Sequence, residues 1–231
     1  MIYKNKSIYF IEKIPSNSKN YTLPEHILHH LRVRRELEIG FKFIISDNEF
    51  FIEAVIAEIS KKNVTLSLDT LNLISKCEKK ITLYQSILKP DNMSYVMQKA
   101  TEFGVYCIQP ILAERSQHHY WTDKSKEHYL KILQSAATQS KQLYYPMLKD
   151  PISLKNLSLE DNNLYTLNFN GRKWSSSETV LNEISFLIGP EGGWTENEEK
   201  FLNKVQTLSL SSTVLRAETA ALACMALATC L

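Results

Sequence analysis

The first 72 residues of the chain contain several short stretches in which apolar and polar positions alternate, separated by turn-forming residues. Alternation with a period of two is typical of strands that turn one face toward a core. The pattern predicts four strands: Ser7–Ile11, Phe41–Ser46, Phe50–Ile56 and Val64–Leu68. One short helix interrupts them, with Thr22 as its expected N-cap and Pro24 in its first turn. Several short strands and one helix favour a small β-barrel as a separate domain.

From Ile81 onward the pattern changes to short apolar strands that alternate with helices. Five strands are predicted here: Ile81–Leu88, Val105–Leu112, Leu164–Phe169, Ile184–Ile188 and Thr207–Leu210. The predicted helices run from Pro90 to Gly104, from about Trp121 to about Leu143, from Thr195, and from Ala220 to Leu231. This rhythm indicates an α/β fold with a parallel sheet, whose ligands bind beyond the carboxyl ends of the strands. The loops expected at those ends are residues 168–170, 189–193 and 211–217.

The loop Gly189–Gly193 contains three glycines and a proline directly after an apolar strand. Thr195 and Glu198 have the spacing of a capping box, so a helix is predicted to begin there. At such a junction, backbone N–H groups point at a ligand if one is present. A tight turn that binds nothing has the same pattern, and the turn alone does not separate the two interpretations.

Composition and charge narrow the class of protein only slightly. The 231 residues, 44% hydrophobic and 23% charged, are typical of a soluble protein with one large or two small domains. The segment Met1–Lys6 is too polar for a signal sequence, and no apolar run reaches the roughly 20 residues of a membrane span. The four cysteines have no metal-binding spacing, so we expect reduced thiols in the cytoplasm. A net charge of +2, with the positive excess in the first two thirds, argues weakly for nucleic acid.

Two blocks of sequence carry a family resemblance: Gly189-Pro190-Glu191-Gly192-Gly193 and Leu215-Arg216-Ala217-Glu218-Thr219-Ala220. In this order, and with Gln98–Val105 and Ala136–Ser140 before them, they resemble the ribosomal RNA small subunit methyltransferase E family (RsmE). That family methylates N3 of a uridine in 16S ribosomal RNA. The resemblance implies a SPOUT-type parallel sheet with a C-terminal trefoil knot over residues 73–231. It also implies a PUA-like RNA-binding barrel over residues 1–72, and a cytoplasmic homodimer that acts on the small ribosomal subunit without a metal.

The resemblance further implies a binding site for S-adenosyl-L-methionine among the three loops. The residues expected to bind this cofactor are Leu167, Asn168, Ile188, Gly189, Gly192, Gly193, Leu210, Leu215, Arg216 and Ala220. Glycines allow close approach of the ligand, and leucines form the walls of an apolar slot for adenine. Neither a Gly-x-Gly-x-x-Gly fingerprint nor a P-loop occurs in the chain, so a common dinucleotide fold or an NTPase is poorly supported.

Methyl transfer to uracil N3 needs a group that removes the N3 proton, because the protonated nitrogen is a poor nucleophile. Glu191 and Glu218 are both candidates for this role. Glu191 has an alternative function in hydrogen-bonding its own turn, and Glu218 has one in stabilising the first turn of the last helix. Arg216 is the third catalytic candidate, because it could hold a phosphate or the developing imide anion. Its alternative is an ion pair across a subunit interface.

The expected RNA contacts are basic residues in the first two thirds of the chain: His29, Arg32, Arg34, Arg35, Arg115 and Lys141. The first four lie in or just after the predicted N-terminal helix. There, cations also favour the C-terminal end of the helix dipole and need no ligand. A zinc site formed by His26, His29 and His30 is disfavoured, because no further ligand set accompanies them.

The sequence departs from the family pattern in four places. Gln142 stands where an arginine is expected, Trp194 replaces a usual phenylalanine, and the other two departures are at Lys89-Pro90-Asp91 and Ser211. Lys89-Pro90-Asp91 stands where the family usually has a Lys-Gly pair, and Ser211 follows Leu210 where a glycine is usual. A Cβ at Ser211 could crowd the adenine. Besides an N3-methyltransferase, the sequence therefore leaves open a homologue that binds RNA but has lost catalysis. It also leaves open a SPOUT methyltransferase that modifies another RNA nucleotide.

Overall fold

The computed structural model describes residues 6–14, 20–60, 63–75, 79–117, 120–175 and 181–230. These residues form two compact units. The first comprises Met1–Lys76 together with Ala137–Tyr144, and the second comprises Cys77–Ala136 together with Tyr145–Leu231. The inclusion of 137–144 in the first unit was not anticipated from the sequence. Ser46 donates a hydrogen bond of 2.6 Å to the carbonyl of Leu143, which attaches this returning segment to the N-terminal sheet.

The first unit contains a six-stranded sheet with one helix against it. Its strands are β1 (Ser7–Phe10), β2 (Asn20–Thr22), β3 (Lys42–Ser46), β4 (Phe50–Ile59), β5 (Val64–Leu68) and β6 (Asn72–Leu73). The order is β1-β3-β4-β5-β2, with β6 on β4. The β1–β3 pair is parallel and the others are antiparallel. Helix α1 (Glu25–Val33) buries Ile27, Leu28 and Leu31 in the core of this unit.

The predicted cap of α1 is wrong. Thr22 is the last residue of β2, where it pairs with Thr65 of β5. The helix begins two residues later than a Thr22 cap would require, with Pro24 in the N-cap position and no side-chain cap. Thr22 pairs within the sheet as part of β2, so its side chain does not lie at the start of α1 and cannot cap that helix.

The second unit is a parallel sheet with helices, as the strand–helix rhythm predicted. Its strands are β7 (Lys80–Ser86), β8 (Cys107–Leu112), β9 (Met147–Leu148), β10 (Ile152–Ser153), β11 (Leu164–Lys173), β12 (Glu183–Ile188) and β13 (Gln206–Ser209). The order is β10-β8-β7-β12-β11-β13, with β9 also on β8, and every pair is parallel. The two-residue strands β9 and β10 were not predicted, because two residues carry no periodicity.

Among the described residues, four helices cover this sheet: α2 (Pro90–Glu102), α3 (Asp123–Ser140), α4 (Glu196–Leu202) and α5 (Ala217–Cys230). A short 3₁₀ turn, Leu154–Asn156, follows β10. Gly104 ends α2 with φ of +68°, as expected for a C′ glycine, whereas α3 ends at Ser140 and not at about Leu143. One face of α5 lies in the core with α2, β7 and β12 and buries Ala221, Cys224 and Met225.

The described cysteine thiols are buried. Cys107 and Cys224 are free, and burial raises the pKa of both. Some of the residues discussed above lie outside the described part. They are Cys77, the side chain of Cys230, residues 1–5 of the polar N-terminal segment and the last residue of the expected C-terminal helix. Within the described ranges, no helix has both the length and the apolar character needed to cross a membrane.

Strand β11 meets β13 twice. Leu167 and Arg172 both oppose Leu208, and the residues between them leave the ladder and return to it. At the return, a Cβ added to Gly171 would lie 2.5 Å from the carbonyl carbon of Leu208 and 2.8 Å from that of Thr207. Two backbone segments therefore cross in direct contact, and only glycine fits between them.

Replacement of this glycine should destabilise the protein strongly. Gly171→Ala places a methyl group against backbone atoms that cannot rotate away. We therefore expect a loss of at least about 2 kcal/mol in the free energy of unfolding, measured by urea denaturation. The matched control is Asn170→Ala, because Asn170 is exposed and alanine keeps the backbone N–H that donates to the Asn168 side chain. That variant should stay within about 0.5 kcal/mol of wild type. Equal stability of both variants would contradict the close crossing.

Candidate functional site at the carboxyl edge of the parallel sheet

The loops after β12 and β13 meet the irregular stretch of β11 between Leu167 and Arg172. The sequence placed residues 168–170 in a loop after this strand, but β11 leaves its ladder there and continues to Lys173. These three segments enclose two adjoining cavities of about 800 Å³ and about 310 Å³. The wall between them is shared by Leu167, Gly193, Trp194, Val214, Leu215 and Ala220. The larger cavity has the size of a pocket for a drug-sized or nucleoside-sized ligand.

All ten residues expected to bind a cofactor line these cavities. Ile188, Gly189, Gly192 and Arg216 line the larger one, and Asn168 and Leu210 line the smaller one. Leu167, Gly193, Leu215 and Ala220 line both. The three catalytic candidates, Glu191, Arg216 and Glu218, all lie at the larger cavity.

The glycine turn between β12 and α4 is fixed by local contacts. The Gly193 N–H donates to the Pro190 carbonyl at 2.9 Å, and φ of +71° at Gly193 requires glycine. Gly189 lies against the indole of Trp194, so that a Cβ there would be 3.0 Å from a ring carbon. The predicted capping box is confirmed, because Thr195 accepts from the Glu198 N–H and Glu198 accepts from the Thr195 N–H.

The two candidate carboxylates differ in their surroundings. Glu191 is exposed, and its Oε1 accepts a hydrogen bond of 2.8 Å from the side-chain amide of Asn92. Glu218 lies in the first turn of α5, and its Oε2 is buried without a hydrogen-bond partner among the described residues. A buried acceptor without a partner costs free energy. Glu218 thus has an unsatisfied acceptor at the larger cavity.

Arg216 precedes α5, and its carbonyl accepts the Ala220 N–H at 2.8 Å. Its side chain is exposed, and no carboxylate of the described residues lies within ion-pair distance of it. The guanidinium is therefore available to an anionic ligand at the larger cavity.

Ser211 hydrogen-bonds within its own loop. Its hydroxyl accepts from the Thr213 N–H at 3.1 Å and lies 3.0 Å from the Thr213 hydroxyl. Within the described chain, the non-glycine residues with positive φ are Arg35, Asn48 and Lys141, so Ser211 adopts a backbone conformation open to any residue. The glycine usual at this position is thus not needed here for its conformational freedom.

Sequence reasoning missed several residues at the cavities. Lys89 and Asn92, from the junction of β7 and α2, line the larger cavity, while Glu199 and Thr213 line the smaller one. Lys89 and Asn92 reach the larger cavity because β7, the strand that precedes them, lies beside β12 in the sheet. These strands are distant in sequence, since 103 residues separate Lys80 of β7 from its partner Glu183 of β12. Only the order of the strands could have identified Lys89 and Asn92. No cluster of His, Cys, Asp and Glu with three or more members in the described part is arranged to hold a metal ion.

Five of the six predicted RNA contacts lie in the first unit. His29, Arg32, Arg34 and Arg35 are exposed at the C-terminal half of α1 and just after it, and Arg32 is 3.5 Å from Glu25. Partial burial, followed by the charge of Arg34, lowers the pKa of the neighbouring His30. Lys141 follows α3 in the segment that returns to this unit. Arg115 lies in the second unit and contacts the glycine turn.

Arg35 and Lys141 occupy an unusual backbone position. Arg35 follows the C-cap residue Arg34 of α1 with φ of +58°, and Lys141 directly follows the last residue of α3 with φ of +61°. Glu36 then donates to Leu31 at 2.9 Å and Gln142 donates to Ala137 at 3.0 Å, which is the long hydrogen bond of a Schellman motif. Glycine is the usual residue at this position, because a left-handed conformation costs other residues about 1–2 kcal/mol.

The fold and the site define the class as an RNA methyltransferase domain, and a family model with that description matches residues 75–229. Ribosomal RNA small subunit methyltransferase E from Aquifex aeolicus is 30% identical over 86% of this chain and 89% of its own. The protein of the same name from Rickettsia conorii is 28% identical over 96% and 94%.

Two solved structures that contain S-adenosylmethionine are similar along nearly the whole chain. Ribosomal RNA small subunit methyltransferase E from Neisseria gonorrhoeae is 28% identical, with a TM-score of 0.79 and 96% of each chain covered. A methyltransferase from Legionella pneumophila is 26% identical, with a TM-score of 0.82 and 98% of each chain covered. The present chain belongs to the ribosomal RNA small subunit methyltransferase E family.

Proposed function

We propose that this protein transfers a methyl group from S-adenosylmethionine to N3 of a uridine in 16S ribosomal RNA of the small subunit. One observation carries the proposal: the glycine turn, the loop after β13 and the start of α5 surround one pair of cavities in a member of this family. The solved structures of similar proteins from Neisseria and Legionella contain bound S-adenosylmethionine.

The residues around the cavities fit this cofactor. Leu167, Leu210 and Leu215 form apolar walls, and Gly192 and Gly193 leave backbone groups accessible beside them. The unsatisfied Oε2 of Glu218 and the exposed guanidinium of Arg216 lie at the same larger cavity. When bound, S-adenosylmethionine supplies an electrophilic methyl carbon on a positively charged sulfur.

Glu218 is the proton acceptor in this proposal, and Arg216 stabilises the resulting negative charge on the uracil. As the N3 proton moves to the Glu218 carboxylate, the N3 electron pair forms the new bond to carbon, and the electron pair of the broken carbon–sulfur bond stays on sulfur. The unpaired oxygen of Glu218 favours it over Glu191, whose Oε1 already accepts from Asn92. Positioning of the uracil ring beside Glu218 and the methyl donor supplies most of the remaining rate enhancement.

The choice between the carboxylates can be measured directly. We expect Glu218→Gln to lower the single-turnover rate about 100-fold or more at neutral pH, and Glu191→Gln to lower it less than about tenfold. Both variants should keep donor affinity. The Glu218→Gln rate should rise with pH, because alkali removes the uracil proton without the enzyme. A larger defect in Glu191→Gln would reverse the assignment.

RNA binding by the first unit completes the proposal. His29, Arg32, Arg34, Arg35 and Lys141 would contact the phosphate backbone. The left-handed φ of Arg35 and Lys141 supports this role, because residues held in unfavourable backbone regions concentrate at functional sites. A basic side chain at a position that favours glycine is explained if its positive charge contacts a phosphate of the RNA. Arg115, the sixth expected contact, is considered separately below.

Substitution by glycine should separate stability from RNA binding. Arg35→Gly and Lys141→Gly should each raise the free energy of unfolding by about 0.5–1 kcal/mol. Each should also weaken binding to 16S ribosomal RNA and reduce the slope of log affinity against log salt by about one. Asn48→Gly is the control, because it relieves a third left-handed residue without loss of charge. Unchanged RNA affinity in both basic variants would contradict a phosphate contact.

The finer architecture is also part of the proposal. Residues 1–72 form a PUA-like RNA-binding barrel, and residues 73–231 form a SPOUT methyltransferase domain with a trefoil knot. The close crossing of Gly171 over Leu208 supports a knot, because it brings the last part of β11 directly onto β13. The protein acts as a cytoplasmic homodimer. Leu222, Ala226 and Leu227 of α5 are only partly buried within one chain, which supports an apolar interface there.

Nucleoside analysis tests the reaction. Small ribosomal subunits from a strain that lacks uridine-N3 methylation are incubated with the protein and a donor whose methyl group is deuterated. Their 16S RNA is then digested for mass spectrometry. We expect labelled 3-methyluridine, and none with heat-inactivated protein. Label in a ribose-methylated nucleotide would instead indicate a different RNA target. Absence of label despite RNA binding would indicate a homologue without catalysis.

A further inference from the structure

The loop after β8 is connected to its neighbours at the carboxyl edge of the sheet. Within it, the Ser116 hydroxyl donates to the Ala113 carbonyl at 2.8 Å, and the Gln117 N–H donates to the Ile87 carbonyl after β7 at 2.9 Å. In the sheet, β7 lies between β8 and β12. The glycine turn follows β12, two strands along the sheet from β8, and the loop after β8 lies directly against it.

Arg115 of this loop contacts the glycine turn. Its Nη1 donates to the Gly192 carbonyl at 3.0 Å and to the Trp194 carbonyl at 3.2 Å. The aliphatic part of the side chain lies along Gly192, so that a Cβ there would be 3.3 Å from the Arg115 Cβ. A guanidinium that binds two carbonyls of one turn fixes their relative orientation, and hydrogen bonds from a charged donor are stronger than those from a neutral one.

Glu198 makes the reciprocal contact from the start of α4. Its Oε1 accepts the Glu114 N–H at 2.8 Å, and its Oε2 accepts the Thr195 N–H at 2.9 Å. The residue is 5% exposed, so this carboxylate is satisfied by two backbone donors while almost completely out of water. Arg115 and Glu198 therefore connect the loop after β8 to both ends of the segment Gly192–Thr195.

We propose that Arg115 is a positioning residue of the donor site, which holds the glycine turn in its binding shape together with Glu198. The inference rests on the proposed function, because Gly192, Gly193 and Trp194 line the cavities assigned to S-adenosylmethionine. A turn held in place before binding loses less conformational entropy when the donor arrives. This role differs from the RNA contact expected for Arg115 from the sequence.

Titration of S-adenosylmethionine by calorimetry, with no RNA present, tests the role. Arg115→Met keeps an unbranched apolar side chain against Gly192 but removes the charged donor, and we expect the donor Kd to rise about tenfold. Arg115→Lys restores a cationic donor and should recover part of this loss. Lys204→Met is the matched control, because it removes one exposed positive charge elsewhere in the second unit and should leave the Kd unchanged. A thermal melt of each variant establishes that it is folded.

Amide hydrogen exchange gives a second measurement that does not depend on the donor. Peptides that cover residues 189–196 should exchange about tenfold faster in Arg115→Met and in Glu198→Gln than in wild type, while peptides from β7 and β12 stay unchanged. The exchange rate in Arg115→Lys should lie between those of wild type and Arg115→Met. This third variant still allows the test if one of the other two does not fold.

The outcomes separate the two proposals. Wild-type donor affinity in Arg115→Met, or unchanged exchange in the glycine turn, would overturn the positioning role. Failure of the wild-type protein to bind the donor would overturn the proposed function instead, and the exchange measurement would still decide whether Arg115 holds the turn.

Discussion

The parallel alignment of β7, β11, β12 and β13 is the constraint on which the site depends. Backbone hydrogen bonds in register place all four carboxyl ends at one edge of the sheet. The chain therefore leaves every strand at the same place, and residues far apart in sequence meet there. If one strand were reversed, its loop would emerge at the opposite edge and one wall of the cavities would be lost. The catalytic chemistry proposed here is thus secondary to a backbone arrangement.

Local sequence signals predicted much of the second unit. The Thr195–Glu198 capping box formed as expected, because both partners lie within one helical turn and depend on nothing distant. The five predicted strands were also found, with loops after β12 and β13, whereas residues 168–170 are an irregular part of β11. The failure at Thr22 has the opposite cause: pairing with Thr65 of β5 determined its conformation, and a local propensity cannot reveal a distant partner.

Other features of the site depend on tertiary structure and could not have been predicted. Lys89 and Asn92 reach the larger cavity only through the order of the strands. Glu198 has a function in the capping box that the sequence indicates, and a second contact with Glu114 that it does not. The difference between Glu191 and Glu218 likewise follows from burial, which a motif does not encode. The motifs determine which residue types occur at the site, and packing determines the role of each residue.

The pairing of β7 with β12 has a consequence for synthesis of the protein in the cell. Lys80 and Glu183 are partners in the ladder although 103 residues separate them. At about 5–20 residues per second, a ribosome needs roughly 5–20 seconds to make the intervening chain. During that time β8 can cover one side of β7, while the other side presents unpaired backbone groups. A nascent chain with such an open edge is exposed to association with other chains, so this protein is a candidate for chaperone assistance while it is still on the ribosome.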